Sequence, residues 1–442
     1  MTPSLFRGAV GRNVSEIDIA SGWNSTDCAR QVLEKHWETY MNSSDFSHLS
    51  SIGINTVRLP IGYWSLGPEF CQGTPFCAYA DVYRNSWAFV VDTINMAANA
   101  GLGVLVDLHG AVGSQNGQPH SGISDGQSGL FNNDTNVNKT LAVLTYLTQQ
   151  LCNVSNVVGI QILNEPKDCD QLPGFYDKAI AAMRNFCGAD FPLYIHDGFN
   201  LEQYSDYVAK REDFIVQDHH SYFVFTQEDQ NKNASEHTRN INTEVRNSLA
   251  KASANQHGNL IIGEWSCALT PQSLSQVSNQ TAARQAFGEA QLNTYSNTTA
   301  GWSFWAYKKE DCDAGWCLPA AVGNCLASDF SAYISKCNSL PDFFRRDLDV
   351  RHRPEAIHQR LIRNTDNAAE QRSRDSGYSD GYSTAQFFCS RQSELAFIWE
   401  YMKRSIKQRV GPETIEPGTE SNYREGFSQG LADAMKPRAG AS

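Results

Sequence analysis

Two glutamates stand at the ends of apolar, strand-like runs, where a charged side chain adds nothing to packing. Glu165 closes Ile162-Leu163-Asn164-Glu165-Pro166, and Glu264 closes Ile261-Ile262-Gly263-Glu264-Trp265. A carboxylate in such a place needs partners or a task. Two carboxylates facing one bond can divide the work. One protonates a departing oxygen and the other acts from the opposite side, which is the division that glycosidic-bond hydrolysis requires. Spacing alone leaves open that both are ordinary strand-end glutamates. Other polar residues follow runs of the same kind: Arg58, His109, Asn164, His219-His220 and Trp305.

Side chains so far apart in sequence need a scaffold to bring them together. Seven short, β-branched apolar runs recur, at residues 54–59, 102–108, 157–163, 192–195, 214–216, 260–262 and 302–305. Between them lie stretches with apolar spacings of three and four, such as 87–100 and 140–151, which predict helices. Strands alternating with helices argue for a parallel α/β fold, and the number of repeats suits a (β/α)8 TIM barrel. Such a barrel gathers the C-terminal ends of its strands on one face, so the polar residues would converge there. With only seven runs present, the barrel is expected to lack its first strand.

The residues also match a family pattern. Asn164-Glu165-Pro166 with Glu264 resembles the acid/base and nucleophile strands of the retaining glycoside hydrolases of family 5. Further stretches narrow the resemblance: Thr56-Val57-Arg58-Leu59-Pro60-Ile61-Gly62-Tyr63-Trp64, Asp107-Leu108-His109-Gly110-Ala111-Val112-Gly113-Ser114-Gln115-Asn116-Gly117, Asp218-His219-His220-Ser221-Tyr222 and Gly301-Trp302-Ser303-Phe304-Trp305. Together they are similar to the fungal exo-β-1,3-glucanase branch, the glucan 1,3-β-glucosidases. The resemblance implies Glu165 as general acid/base with a raised pKa, Glu264 as nucleophile, and Arg58 holding that nucleophile ionised. It implies Asn164 on the sugar 2-hydroxyl, His109, His220 and Tyr222 around the cleavage point, and Trp305 beneath the sugar ring. Trp64 and Trp302 read as core. The implied reaction is a two-carboxylate double displacement releasing glucose from β-1,3-glucan, with no metal or cofactor. An endo-β-1,6-glucanase on the same scaffold is an alternative, as is a carbohydrate-binding pseudoenzyme made inactive by the missing strand.

This sequence departs from the pattern in three places. The family's first strand, with a glycine-rich stretch, a tryptophan and a glutamate that grips the terminal sugar, precedes the point where this chain starts. The loop after Asn116-Gly117 reads Gln118-Pro119-His120, where an aromatic residue and Asp-Asn are common in yeast-type members. Phe225 matches the other half of the outer-sugar clamp to which that aromatic contributes. Residues 341–442 have no counterpart in the minimal enzymes; they hold 31 of the chain's charges, against 53 in residues 1–340. The expected organisation is therefore a catalytic barrel at 1–340 and a charged, mostly helical appendage at 341–442. Within the appendage, Gly377-Tyr378-Ser379-Asp380-Gly381 is echoed by Gly426-Phe427-Ser428-Gln429-Gly430, which predicts two helices crossing closely, and residues 393–410 read as an amphipathic helix.

Composition limits the remaining classes. The 442 residues are 41% hydrophobic and 19% charged with a net charge of −12, which excludes a disordered chain and a phosphate-neutralising nucleic-acid binder. No apolar run is long enough for a membrane span. Twelve cysteines include the close pairs Cys71/Cys77, Cys312/Cys317 and Cys325/Cys337, without the spacing of a zinc site. Nine N-x-S/T sequons accompany them, at Asn13, Asn24, Asn42, Asn133, Asn138, Asn153, Asn233, Asn279 and Asn297. Both features favour an oxidising, extracellular or cell-wall setting. The start lacks the apolar stretch of a signal peptide, and a leader lost together with the first strand would reconcile the two. The expected partner is a β-glucan polysaccharide, met by a monomer.

Overall fold

All seven apolar runs form strands: β1 (Thr56–Gly62), β2 (Gly103–Gly110), β3 (Val157–Gln161), β4 (Leu193–His196), β5 (Ile215–Ser221), β6 (Leu260–Trp265) and β7 (Trp302–Phe304). They make one sheet in chain order from β1 to β7, and the paired strands run parallel. Its two ends, β1 and β7, approach each other, so the sheet is a nearly closed barrel. Pro60 is tolerated within β1 because that strand pairs on one side only among the described residues. The computed structural model describes residues 3–330, 364–390, 396–409 and 415–435. The change in composition near residue 340 lies outside them.

Helices alternate with the strands along the chain: α1 (Ser86–Asn99), α2 (Asp134–Leu151), α3 (Gln171–Arg184), α4 (Leu201–Ala209), α5 (Arg246–Asn255) and α6 (Gln280–Thr298). The apolar spacing explains which faces they bury. Val143, Leu144, Leu147 and Leu151 line one side of α2, and Leu172, Phe175, Tyr176, Ala179 and Ile180 one side of α3. Asparagines start several helices. Asn133 accepts hydrogen bonds from the Thr135 and Asn136 amides, and Asn42, Asn233 and Asn279 cap helices in the same way. Four of the nine sequon asparagines thus have a second, structural reason to be asparagine.

The described residues fall into two compact units. The first draws on Met1–His237, Ile261–Glu289 and Trp302–Ser328, and holds most of the strands. The second draws on Thr238–Leu260, Ala290–Gly301 and Asp329–Ser442. In the second unit, α7 (Asn364–Ser390) and α9 (Glu420–Ala434) cross at the echoed glycines, as expected. A Cβ on Gly377 or Gly381 would strike the carbonyls of Tyr423 or Phe427. One on Gly426 or Gly430 would strike those of Arg374 or Tyr378. The helix read over 393–410 is α8 (Ile398–Arg409), whose Ile398, Met402 and Ile406 pack with Tyr423, Phe427 and Leu431; residues 391–395 and 410 lie outside the described residues.

One of the three close cysteine pairs is bonded: Cys312 joins Cys317. Cys71 and Cys77 are free thiols. Cys337 lies outside the described residues, and Cys325 is a free, buried thiol that donates to the Ala314 carbonyl at 3.1 Å and lies beside Cys267, which is distant in sequence.

Candidate active site

Because the strands are parallel, the residues at their C-terminal ends meet on one face. Arg58 on β1 is the hub. Its Nη1 donates to Oε1 of Glu264 at 2.8 Å, its Nη2 to Oδ1 of Asn164 at 2.7 Å, and its Nε to Oε1 of Gln161 at 2.9 Å. Nη2 also lies 3.0 Å from Asp107. Burial works against the guanidinium, but the charges of Asp107 and Glu264 outweigh it and raise its pKa further. The planar fork presents separate nitrogens to acceptors spread around it, a geometry that the single ammonium nitrogen of a lysine does not reproduce.

Glu264 is buried and fully satisfied. Arg58 occupies Oε1, and the Tyr222 hydroxyl donates to Oε2 at 2.7 Å. Burial and the adjacent Glu264 charge push the Tyr222 phenol far up, so it remains a donor. The strand before Glu264 needs a glycine. The Gly263 amide donates to Oδ1 of Asp218 at 2.7 Å, and any Cβ there would collide with that carboxylate.

Glu165 sits just past β3, which stops at Gln161 rather than running to Leu163. The chain bends there, with Glu165 at φ +39°. Its Oε1 lies 2.7 Å from Nδ1 of His220, whose Nε2 is 3.3 Å from Asp218. The same Nδ1 is 3.6 Å from Oε2 of Glu264. The pKa of Glu165 is lowered rather than raised. Burial is the largest influence and pushes it up, but the hydrogen bond and charge of His220, with His196 and His120 behind it, prevail. His220 is raised in turn: burial opposes its charge, and the Glu264 and Asp218 carboxylates overcome that. A sugar over Glu165 would deepen the burial, the influence that favours the acid form.

Asn164 has its oxygen held by Arg58, which leaves Nδ2 facing His109 at 3.5 Å. His109 bonds Asp107 through Nδ1 at 2.7 Å, and its ring is parallel to Trp305 (2°, centroids 5.7 Å apart). The eight residues singled out from the sequence therefore share one face. Trp64 is buried as core, and Trp302 meets Trp265 edge-on. Phe225 is 70% exposed and packs against Tyr222 and Trp316.

Glu165, His196 and His220 bring three possible metal ligands within 4.8 Å of one another. The donor set does not suit a metal. Nδ1 of His196 accepts from the Gly198 amide at 3.0 Å, so the nitrogen left for an ion, Nε2, carries the ring proton. Burial, then the His220 charge, lower the His196 pKa to about 4 and keep it neutral. The cluster is an acid–base group.

The family model for cellulase, glycosyl hydrolase family 5, matches residues 21–311. The chain belongs to glycosyl hydrolase family 5. Within the family it is similar to glucan 1,3-beta-glucosidase 3 of Schizosaccharomyces pombe, at 38% identity over 67% of this chain and 64% of the relative's length. It is also similar to the glucan 1,3-beta-glucosidase of Kluyveromyces lactis, at 32% identity over 64% of this chain and 73% of that protein. Its fold is like that of the rutinosidase from Aspergillus niger, with a TM-score of 0.56 and 20% identity over 71% of this chain and 87% of that one.

The family motifs point to the eight residues above and pass over those behind and beside them. Asp107 and Asp218 lie within the motifs without a role of their own in them. Each lies two positions before a site histidine, and strand periodicity puts such pairs on one face. Gln161 and His196 carried no signal beyond lying at strand ends. His120 and Trp316 reach the site on loops, where no periodicity applies.

Proposed function

We propose that the protein is a retaining β-glucosidase that releases glucose from the non-reducing end of β-1,3-glucan. One observation carries the reading: His220 Nδ1 contacts both Glu165 and Glu264, at 2.7 and 3.6 Å. The two carboxylate oxygens that meet this nitrogen are therefore closer than the ~6.5–9.5 Å that inverting enzymes keep for a water between their carboxyl groups. Glu264, oriented through both oxygens, attacks the anomeric carbon. Glu165 protonates the departing oxygen, and the same residue then activates the water that frees the sugar. Asn164 offers Nδ2 to the sugar 2-hydroxyl, and Trp305 forms the wall under the ring. The relatives named above support the glucan linkage. Nothing in the site favours endo action on β-1,6-glucan, and both carboxylates of an active enzyme are present.

The reading extends to a monomer working outside the cell or in its wall, where β-glucan lies, with residues 341–442 as an appendage outside the chemistry. The sequons not used as helix caps support that setting, and no helix among the described residues is long and apolar enough to cross a membrane. Incubation with laminarin tests the function. Glucose should be the first product, and Glu264→Ala should release none. Oligosaccharides without glucose would replace exo with endo action, and no product at all would overturn the assignment.

A further inference from the structure

We infer that His120 is a specificity-determining residue that recognises the departing sugar by hydrogen bonding beside Glu165. The inference rests on the hydrolase reading above. It starts from the two oxygens of Glu165. His220 occupies Oε1, so Oε2 is the oxygen left to face the bond being broken. Nε2 of His120 is 3.7 Å from Oε2, too far for a hydrogen bond to it, so the imidazole stands beside that oxygen without occupying it.

The ring's proton can be assigned. Oδ1 of Asn116 accepts from the Gln118 amide at 2.9 Å, so its Nδ2 is the atom 2.9 Å from His120 Nε2. Nε2 is thus an acceptor, and the ring proton sits on Nδ1. Nδ1–H has no acceptor among the described residues, and the side chain is 33% exposed at the mouth of the site. Burial, with His109 beside it, keeps the pKa of His120 below the ordinary histidine value, so the ring is neutral near pH 7. A neutral imidazole with a free N–H is suited to an uncharged hydroxyl.

The loop holds this side chain in place. Ser121 is buried, its Oγ paired with Oγ of Ser114 at 2.6 Å. Gly122 (φ +101°) lies against Trp64 with no room for a Cβ. The Ile17 amide donates to the Gly122 carbonyl at 3.1 Å, and Arg12 donates to the Ser124 carbonyl at 2.7 Å. Asn116 Nδ2 also donates to the Glu165 carbonyl at 2.8 Å, tying the loop to the acid/base itself. His109, edge-on to His120 at 5.4 Å and parallel to Trp305, continues the wall inward.

Three β-glucosides separate the possible roles. Laminaribiose has a sugar leaving group that needs a proton. Methyl β-glucoside needs the proton but has no hydroxyl on its leaving group, and 2,4-dinitrophenyl β-glucoside has no such hydroxyl and does not need the proton. His120→Ala should lower kcat/KM for laminaribiose at least about tenfold, the worth of one lost ligand hydrogen bond. The other two should stay within about threefold of the native enzyme. His120→Asn, which keeps a donor, should recover part of the loss. A parallel fall for laminaribiose and methyl glucoside would show that His120 acts through Glu165 and overturn the inference. So would an equal fall for all three, which marks a structural defect, or no change for any. If the native protein turns over none of them, the hydrolase reading fails first and takes this inference with it.

Discussion

His220 meets Glu165 at 2.7 Å through Nδ1 while its far nitrogen faces Asp218 at 3.3 Å, so a buried imidazole is held between carboxylates. Both partners are shifted toward their charged forms, and this fixes the pH dependence. Glu165 is depressed below 4.5, so its contribution is present above that value and lost as pH falls below it. His220 is raised above 6.5, so its contribution is complete below 6.5 and lost as pH rises through the raised value. The Tm difference between native protein and His220→Asn should therefore be largest between pH 4.5 and 6.5 and shrink on either side. Thermal melts across pH 3–9 check this, and a flat difference would remove the charged pair.

In the proposed double displacement, attack by Glu264 inverts the anomeric carbon once and the water that frees the sugar inverts it again. Proton NMR of the nascent product should therefore show β-glucose first. α-Glucose appearing first would mean a single displacement, and Glu264 would lose its role as nucleophile.

Replacing Glu165 by Ala should slow sugar and alkyl leaving groups by two or more orders of magnitude, since only these need its proton (about 10²–10⁴ for a general acid). A dinitrophenyl glucoside should keep its first step, and azide should restore the second by attacking without base assistance. Absence of azide rescue in steady-state assays would argue against the acid/base assignment.

Arg58 serves Glu264, Asn164 and Gln161 with separate nitrogens, and a lysine has a single nitrogen to offer them. Arg58→Lys should cut kcat/KM on laminarin about 10²–10³-fold, the scale for removing a preorganised electrostatic group. Its Tm should fall as well, because buried acceptors lose their donors. Activity near the native level would show that charge alone suffices.

Gly426 passes against the Arg374 carbonyl with no space for a side chain. Gly426→Val should force α7 and α9 apart at a cost of about 1–3 kcal/mol. It should leave laminarin turnover unchanged, as expected of an appendage outside the chemistry. Limited proteolysis should then cut within 364–435 sooner than in the native protein, and an equal fall in activity would make this region part of the enzyme.

The strands and the two glutamates were legible because both signals are local. A buried parallel strand must be an apolar run, and a carboxylate closing one has no packing reason to be there. The glycine echo was legible for the same reason, since backbones crossing closely exclude every side chain at the crossing. Other signals carried two meanings. Four sequon asparagines serve as helix caps, because Asn also suits a helix start. The cysteine pairs close in sequence gave one bond, and Cys325 found Cys267 across the fold instead.

By itself, the sequence determined the strand–helix alternation, the face on which polar residues gather and the identity of the two carboxylates. Local pattern and residue chemistry suffice for these. The tertiary structure alone decided which nitrogen of Arg58 serves which acceptor, that His220 lowers Glu165 when burial would raise it, and that His120 and Trp316 join the site. These depend on distances of 3–6 Å between segments far apart in the chain. Hydrogen bonds vanish and charge interactions weaken over such distances, and no linear spacing records them.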